Sequence, residues 1–188
     1  MNWMDKLERK WGRHAVANLS RYFVLAQVIG YVVQLTAPGL MSYMNFDMGC
    51  ILHGQIWRLV SWILIPPSSL DIFTIIMLFF YYSIGTSLER AWGDFKYNVY
   101  IFSGILMTII GSFLLYGILY AVNGYPSLMG TAFSTYYISL SIFLGFAISF
   151  PDMQVLLFFI IPILIKWLAY LVVALLAYSM ITSIMSGN

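Results

Sequence analysis

Charged residues are scarce in this sequence. Only 9% of its 188 residues are charged, whereas 62% are hydrophobic, and the mean hydropathy is +0.88. A soluble domain usually carries about a quarter charged residues, because its surface faces water. The scarcity therefore excludes an ordinary soluble domain and predicts an integral membrane protein, with the hydrocarbon of a bilayer as its solvent.

Cysteine, histidine and basic runs are scarce as well. The single cysteine, Cys50, excludes an intrachain disulfide framework and a cysteine metal cluster. The two histidines, His14 and His53, lie outside the apolar stretches, where plain surface roles are expected, and no metal-ligand spacing occurs. The net charge of +2 includes no basic run of the kind that a phosphate backbone requires. We therefore predict no metal, no cofactor and no nucleic-acid partner.

Apolar stretches of membrane-spanning length recur along the chain. About 20 apolar residues cross the hydrocarbon core of a bilayer as a helix. Five spans are expected, at about Tyr22–Leu40, Leu70–Leu88, Tyr97–Tyr120, Leu128–Ser149 and Ile163–Ile184. The predicted fold class is thus an all-α polytopic transmembrane helical bundle. We divide it into a cytoplasmic amphipathic leader, residues 1–21, and a transmembrane domain, residues 22–188.

The segments between the spans are expected to lie at the membrane surfaces. Leu59–Ile65 is apolar but too short to cross, and Pro66-Pro67 prevents it from continuing as a regular helix. The other predicted connections are a mixed loop at Met41–Arg58, a compact charged loop at Glu89–Lys96, a turn at Asn123–Pro126 and an interfacial segment at Met153–Ile161, which Pro162 separates from the fifth span.

The leader and the basic residues predict the orientation of the chain. Trp3, Leu7 and Trp11 recur every four residues, so the leader is either an amphipathic helix in the membrane surface or an ordinary juxtamembrane helix. Five basic residues precede the first span, and Arg90, Lys96 and Lys166 fall on the same side if the spans alternate, opposite Arg58 alone. The positive-inside rule then places the N-terminus in the cytoplasm and the C-terminus outside. We assign the chain to the cell (plasma) membrane.

Small residues predict how the spans pack. Because lipid tails are as apolar as leucine, transmembrane helices associate through close backbone approach at small residues. In span four these are Gly130, Ser134, Ser141, Gly145 and Ser149, and in span three they are Gly104, Thr108 and Gly111. Span four is therefore expected to be a crowded central helix, with span three against it. A polar substrate path along the serines is the alternative interpretation.

Three motifs together resemble the rhomboid family. Trp57-Arg58 resembles its tryptophan–arginine motif in the first loop. Gly85, Leu88, Glu89, Trp92 and Gly93 match its Gly-x-x-Leu-Glu-x-x-Trp-Gly element, and the segment from Pro151 to Pro162 resembles its connection between helices four and five. The resemblance covers about Ile56–Tyr178. It implies a rhomboid-type bundle, a fold shared by intramembrane serine proteases and by inactive relatives such as derlins.

The sequence departs from the proteolytic members at the site of catalysis. Their Gly-x-Ser-Gly is replaced around Gly130, so that Ala132 or Tyr136 stands at the nucleophile position, with Ser134 as the weak candidate nearby. Pro66, Asp71 and Ile75 replace the histidine-rich second helix, and the chain ends after helix five, before the helix that carries the family's catalytic histidine. A serine hydroxyl needs an adjacent base to act as a nucleophile.

The expected function is therefore that of a rhomboid-like pseudoprotease, with no catalytic residue, whose partners are the lipid bilayer and transmembrane segments of client proteins. The alternative is a rhomboid serine endopeptidase that uses Ser134 and lacks its sixth helix in this chain. A small transporter or channel component is a third class, for which the sequence provides no charged or polar lining.

Overall fold

The structure is a computed structural model that describes residues 3–123, 134–157 and 161–185. Its architecture is nearly all-α, which confirms the predicted fold class. In those ranges there are nine α-helices and one β-hairpin. The helices are α1 (Trp3–Trp11), α2 (Leu19–Thr36), α3 (Pro38–Met44), α4 (Met48–Leu52), α5 (Arg58–Ser61), α6 (Ile72–Trp92), α7 (Asp94–Asn123), α8 (Thr135–Ser149) and α9 (Ile165–Met185). Short 3₁₀ turns follow α1 and α5, at Gly12–His14 and Trp62–Leu64, and the strands are β1 (Gln154–Leu157) and β2 (Ile161–Leu164).

The five predicted spans correspond to α2, α6, α7, α8 and α9. Within the described ranges α6 and residues Asp94–Ile118 of α7 are each long and apolar enough to cross a bilayer. Residues Met4–His14 and α2 meet the same criterion together, with a bend of 58° between them. Helix α8 and residues Ile165–Ser179 of α9 are apolar but shorter. The first six residues predicted for span four, 128–133, and its Gly130 lie outside the described residues.

The chain divides into two compact units, Met1–Ile142 and Phe143–Asn188. In the first unit α2 packs against α3 and α6, α6 packs against α7, and α1 and α4 also contact α7. The core of this unit combines large apolar side chains from several elements, and the ring of Phe46 meets that of Trp62 edge-on at 5.6 Å. Its most deeply buried members include Phe46, Met48, Trp62, Leu88 and Tyr97.

Helix α6 begins at a capping aspartate. The Asp71 carboxylate accepts a 2.7 Å hydrogen bond from the backbone N–H of Thr74, which satisfies one of the free donors in the first turn. This bond and a second one from the Thr74 side chain hold the pKa of the Asp71 carboxyl below its ordinary value. Asp71 itself is exposed and directly precedes the first residue of the helix, Ile72.

The prediction of a charged loop at Glu89–Lys96 is wrong. Glu89 lies in the last turns of α6, Asp94 begins α7, and only Gly93 separates the two helices. Gly93 has φ = +84°, which a residue without Cβ adopts readily and which stops a helix within one residue. The loop prediction treated the charges as solvated, whereas the structure buries Glu89.

The predicted mixed loop at Met41–Arg58 is largely helical. Span one, predicted to reach about Leu40, ends at Thr36, and Pro38-Gly39 begins α3. Proline suits the first turn of a helix because its missing N–H would be unpaired there in any case. Asp47 then caps α4, accepting a 3.1 Å hydrogen bond from the backbone N–H of Cys50.

The second unit corrects the interpretation of Met153–Ile161. Gln154–Leu157 pairs antiparallel with Ile161–Leu164, in a register that sets Val155 opposite Ile163, so this segment is a hairpin and not a lone interfacial segment. Pro162 lies within β2, where a two-stranded ribbon leaves one edge without partners and tolerates a residue that has no N–H. Beside the hairpin, Lys166 forms a 2.9 Å ion pair with Asp152, and Pro151 is exposed in the turn after α8.

Candidate functional site

The Glu89 carboxylate caps the start of α2. The residue before that helix, Asn18, has φ = +56° and offers no side-chain cap. Glu89, 4% exposed, accepts hydrogen bonds from the backbone N–H groups of Leu19 (2.7 Å) and Ser20 (3.4 Å). A carboxylate is favourable there because the N-terminal end of a helix carries a partial positive charge. The motif glutamate therefore joins α6 to α2.

Gly85 permits the close approach of the same helices. A Cβ atom at this position would lie 2.9 Å from Ser20 Oγ and 3.2 Å from the Tyr97 hydroxyl oxygen. Ser20 Oγ donates a 3.0 Å hydrogen bond to that oxygen. The next residue of α7, Asn98, donates to the carbonyl of Val16 (2.8 Å) and accepts from its N–H (3.0 Å). Sequence reasoning missed Tyr97 and Asn98, although polar side chains at the start of an apolar span were a signal.

The remaining residues of the Gly-x-x-Leu-Glu-x-x-Trp-Gly element serve the same junction. Leu88 is fully buried, the ring of Trp92 meets that of Tyr100 edge-on at 5.2 Å, and Gly93 ends α6. Each of these contacts positions a helix. The element thus holds the ends of α2, α6 and α7 together, and its chemistry is that of packing and capping.

The Trp57-Arg58 motif binds the end of α3. The four successive backbone carbonyls of residues 42–45 each accept a hydrogen bond from a side chain of this motif or from the side chain of Ser61. Arg58, 5% exposed, donates through Nη1 to Ser42 (2.9 Å) and Asn45 (2.8 Å). Trp57 Nε1 donates to Tyr43 (3.1 Å), and Ser61 Oγ donates to Met44 (3.0 Å). A helix leaves its last carbonyls without internal partners, and this motif supplies them.

Helix α2 carries a buried polar face that sequence reasoning also missed. Gln27 Nε2 donates a 2.9 Å hydrogen bond to the Ile63 carbonyl. A Cβ atom at Gly30 would overlap the Leu64 carbonyl oxygen, so glycine is required for this approach. Gln27 Oε1 and the Tyr31 hydroxyl are buried without a hydrogen-bond partner among the described residues. The sequence signal was a glutamine and a tyrosine spaced for one face of an apolar span.

A gap separates α7 from the first residues of α8. It has a volume of about 190 Å³ and is lined by Gly104 and Thr108 on α7 and by Tyr137 and Ser141 on α8, among others. At one end the Tyr100 hydroxyl donates a 2.9 Å hydrogen bond to the Ser141 carbonyl. We call this cavity the α7–α8 gap.

The small residues of span three border open space. A Cβ atom added to Gly104 or Gly111 would meet no described neighbour within 4 Å. The sequence predicted that these glycines bring span three into close contact with span four. In the described part of the chain they do not. On α8 itself Gly145 is buried, and Ser141 is half-buried with its hydroxyl bonded to the carbonyl of Tyr137.

Ser134 and the histidines do not form a catalytic pair in the described residues. Ser134 Oγ accepts a 3.2 Å hydrogen bond from the backbone N–H of Tyr136. His53 Nδ1 bonds the Gly49 carbonyl at the end of α4, and His14 Nε2 accepts from Arg13 after α1. Of the two residues matched to the nucleophile position, Tyr136 lies in the first turn of α8 and Ala132 lies outside the described residues. No cluster of three metal-binding side chains occurs among the residues searched, which are the described ones.

Comparison with known proteins identifies the family to which the sequence is similar. Residues 18–188 match the family described as eukaryotic integral membrane protein (DUF1751). No curated protein and no solved structure matches the chain. The match extends over nearly all of the sequence, including α2, α6, α7, the described α8 and the second unit. The chain belongs to this family of eukaryotic integral membrane proteins.

Proposed function

We propose that this chain is a rhomboid-like membrane protein that binds transmembrane segments of other proteins and does not cleave them. The α7–α8 gap is the observation that carries the proposal. It lies beside the fourth span and is bordered by residues that allow a second helix to approach closely. Membership in a family of integral membrane proteins supports the setting, and the three rhomboid-like motifs support the type of bundle.

The lining of the gap suits a helix. Transmembrane helices associate where small residues let the backbones come together. Gly104 in the lining presents such a surface, and Gly111, two turns along α7 and outside the lining, likewise has no described neighbour within 4 Å of an added Cβ atom. The hydroxyls of Ser103, Thr108 and Ser141 donate to carbonyls of their own helices, so their remaining lone pairs stay available as acceptors. The expected client face is therefore one of small residues with occasional hydroxyls.

The polar groups at the motif positions support binding over cleavage. Trp57, Arg58 and Glu89 engage backbone groups of neighbouring helices, and each contact holds the fold. Ser134 has only a local backbone partner among the described residues. The enzyme alternative requires a base supplied to Ser134 by a further helix. Nucleophilic catalysis needs that base within about 2.6–3.2 Å of the hydroxyl.

Orientation and location belong to the same proposal. We infer a cytoplasmic N-terminus from the excess of lysine and arginine in the leader and near the junction of α6 and α7. The plasma membrane is the proposed location, and microscopy of the tagged full chain tests it.

Binding is tested with a defined probe. The full chain is reconstituted in nanodiscs with a single-span peptide that has a Gly-x-x-x-Gly face, or with the same peptide carrying leucine at both glycines. Energy transfer between the peptide and the chain measures their association. The proposal predicts transfer for the glycine peptide and little for the leucine peptide. Gly104→Leu fills the gap and should abolish transfer. Gly117→Leu is the matched control, since this glycine of α7 also has open space around it but does not line the gap.

Two results would overturn the proposal. Equal transfer for the two peptides would show association without helix packing. Retention of full transfer by Gly104→Leu would show that the peptide binds elsewhere. Thermal unfolding of both leucine variants is measured in parallel, so that loss of fold is recognised.

A further inference from the structure

A second apolar cavity lies between α2 and α6, away from the α7–α8 gap. It has a volume of about 350 Å³. Its lining includes Val24, Val28 and Val32 on α2 and Ile75, Phe79 and Tyr82 on α6. Val32 is 54% exposed and Phe79 72% exposed, so this α2–α6 groove is open to its surroundings. Because α6 is a candidate span by itself and α2 is one together with Met4–His14, we infer that the groove faces lipid.

Two arginines lie at one end of the groove. Arg21 precedes Val24 by three residues and Val28 by seven, which places it on the groove face of α2. Arg90 follows Tyr82 by eight residues and Phe79 by eleven, and it likewise lies on the groove face of α6.

The Glu89–Leu19 hydrogen bond brings these two helix ends together. It joins the first residue of α2 to the last turn of α6 at 2.7 Å, so Arg21 and Arg90 belong to the same end of the groove. Both side chains are exposed, and neither has a hydrogen bond or an ion pair with another described residue. The nearby Glu89 is buried and already bound to backbone N–H groups.

We propose that the α2–α6 groove binds an anionic phospholipid, with one acyl chain between the helices and the headgroup phosphate on Arg21 and Arg90. Guanidinium groups bind phosphate oxygens through paired, charge-assisted hydrogen bonds. The described lining is aliphatic or aromatic, with hydroxyls on Tyr31 and Tyr82, so it suits hydrocarbon along most of its length. The predicted orientation puts the arginines in the cytoplasmic leaflet, which holds the anionic lipids. The choice of leaflet rests on the orientation proposed above, and the site does not depend on client binding.

Native mass spectrometry of the full chain in detergent tests the site. Phosphatidylserine and phosphatidylcholine with identical acyl chains are added separately, and bound lipid is counted. Two arginines should favour the phosphatidylserine by about tenfold in apparent affinity, because the choline cation opposes them. The double variant Arg21→Ala/Arg90→Ala should lose that preference. Lys10→Ala/Arg13→Ala removes the same charge from the leader and should keep it.

The groove itself is tested by filling it. Val28→Trp should displace both lipids, whereas Leu106→Trp, at an exposed position of α7 outside either cavity, should bind them as the wild type does. Undiminished phosphatidylserine binding by the double arginine variant, equal binding of the two lipids by the wild type, or full binding by Val28→Trp would each overturn the proposal. The unfolding temperature of each variant is measured in parallel, and a value equal to that of the wild type shows that the variant folds.

Discussion

The Glu89 carboxylate accepts a 2.7 Å hydrogen bond from the backbone N–H of Leu19, although 70 residues separate them in the sequence. Glu89 is almost fully buried, so this bond forms away from water and fixes the end of α6 against the start of α2. The glutamate of the rhomboid-like motif is thus supplied by α6 and caps the start of α2.

Removal of this cap should destabilise the fold. Glu89→Ala leaves buried backbone N–H groups unpaired and should lower the free energy of unfolding by about 1–3 kcal/mol. Glu89→Gln keeps one acceptor and should lose less. Glu8→Ala is the control, because the Glu8–Lys96 ion pair is long (3.9 Å) and exposed, and should change stability by less than about 1 kcal/mol. Reversible unfolding in mixed micelles measures all three, and equal losses for Glu8→Ala and Glu89→Ala would contradict the capping role.

Gly85→Ala tests the close approach of α6 to α2. The new Cβ would meet Ser20 Oγ at 2.9 Å, and such overpacking typically lowers stability by about 1–3 kcal/mol. Gly104→Ala, at a glycine with open space, should stay within about 0.5 kcal/mol of wild type. Combining Gly85→Ala with Ser20→Gly should give a smaller loss than the sum of the single changes, because the Ser20 side-chain atoms that the new Cβ would meet are gone. Strict additivity would show that the two residues do not touch.

Arg58→Lys should loosen α3. A lysine ammonium cannot reproduce the planar group that reaches the Ser42 and Asn45 carbonyls and the Gln55 side chain together. We expect a loss of about 1–3 kcal/mol, with faster amide hydrogen exchange across Pro38–Asn45 than across α6. Arg90→Lys keeps an exposed cation and should leave exchange unchanged. Wild-type exchange of α3 in Arg58→Lys would refute the role assigned to this arginine.

Hydropathy predicted the apolar helices well, because a span needs a long apolar run whatever surrounds it. Their ends depended on single residues. The Glu89–Lys96 stretch was interpreted as a loop because charges usually face water, and its burial depends on N–H groups 70 residues away, which no local pattern contains. The hairpin at Gln154–Leu164 was missed because a short apolar run is ambiguous between strand and helix.

The motif residues were found by resemblance, and their physical roles required the structure. Trp57 and Arg58 engage carbonyls 13 to 16 residues earlier, a relationship that spacing does not reveal. Gly104 and Thr108, which were expected to pack against span four, border the α7–α8 gap instead. Gln27 and Gly30 were missed because they were counted only as parts of an apolar run.

Cysteine labelling tests the predicted orientation. In a Cys50→Ala background, Lys10→Cys and Asp94→Cys should react with a membrane-impermeant reagent only after the cytoplasmic side is opened. His53→Cys should react from the outside of intact cells. All three positions are exposed in the structure. Reaction of His53→Cys and Asp94→Cys from the same side would contradict the alternation of the spans between them.

The most direct test asks whether this chain binds a transmembrane segment without cutting it. The purified full chain is reconstituted with a generic rhomboid substrate, a photo-crosslinker is placed at Thr108 in the α7–α8 gap, and substrate mass and crosslinks are read from one sample. Ser134→Ala is the control for proteolysis. The account predicts intact substrate crosslinked at Thr108 in both proteins. Cleavage by the wild type that disappears in Ser134→Ala would contradict it.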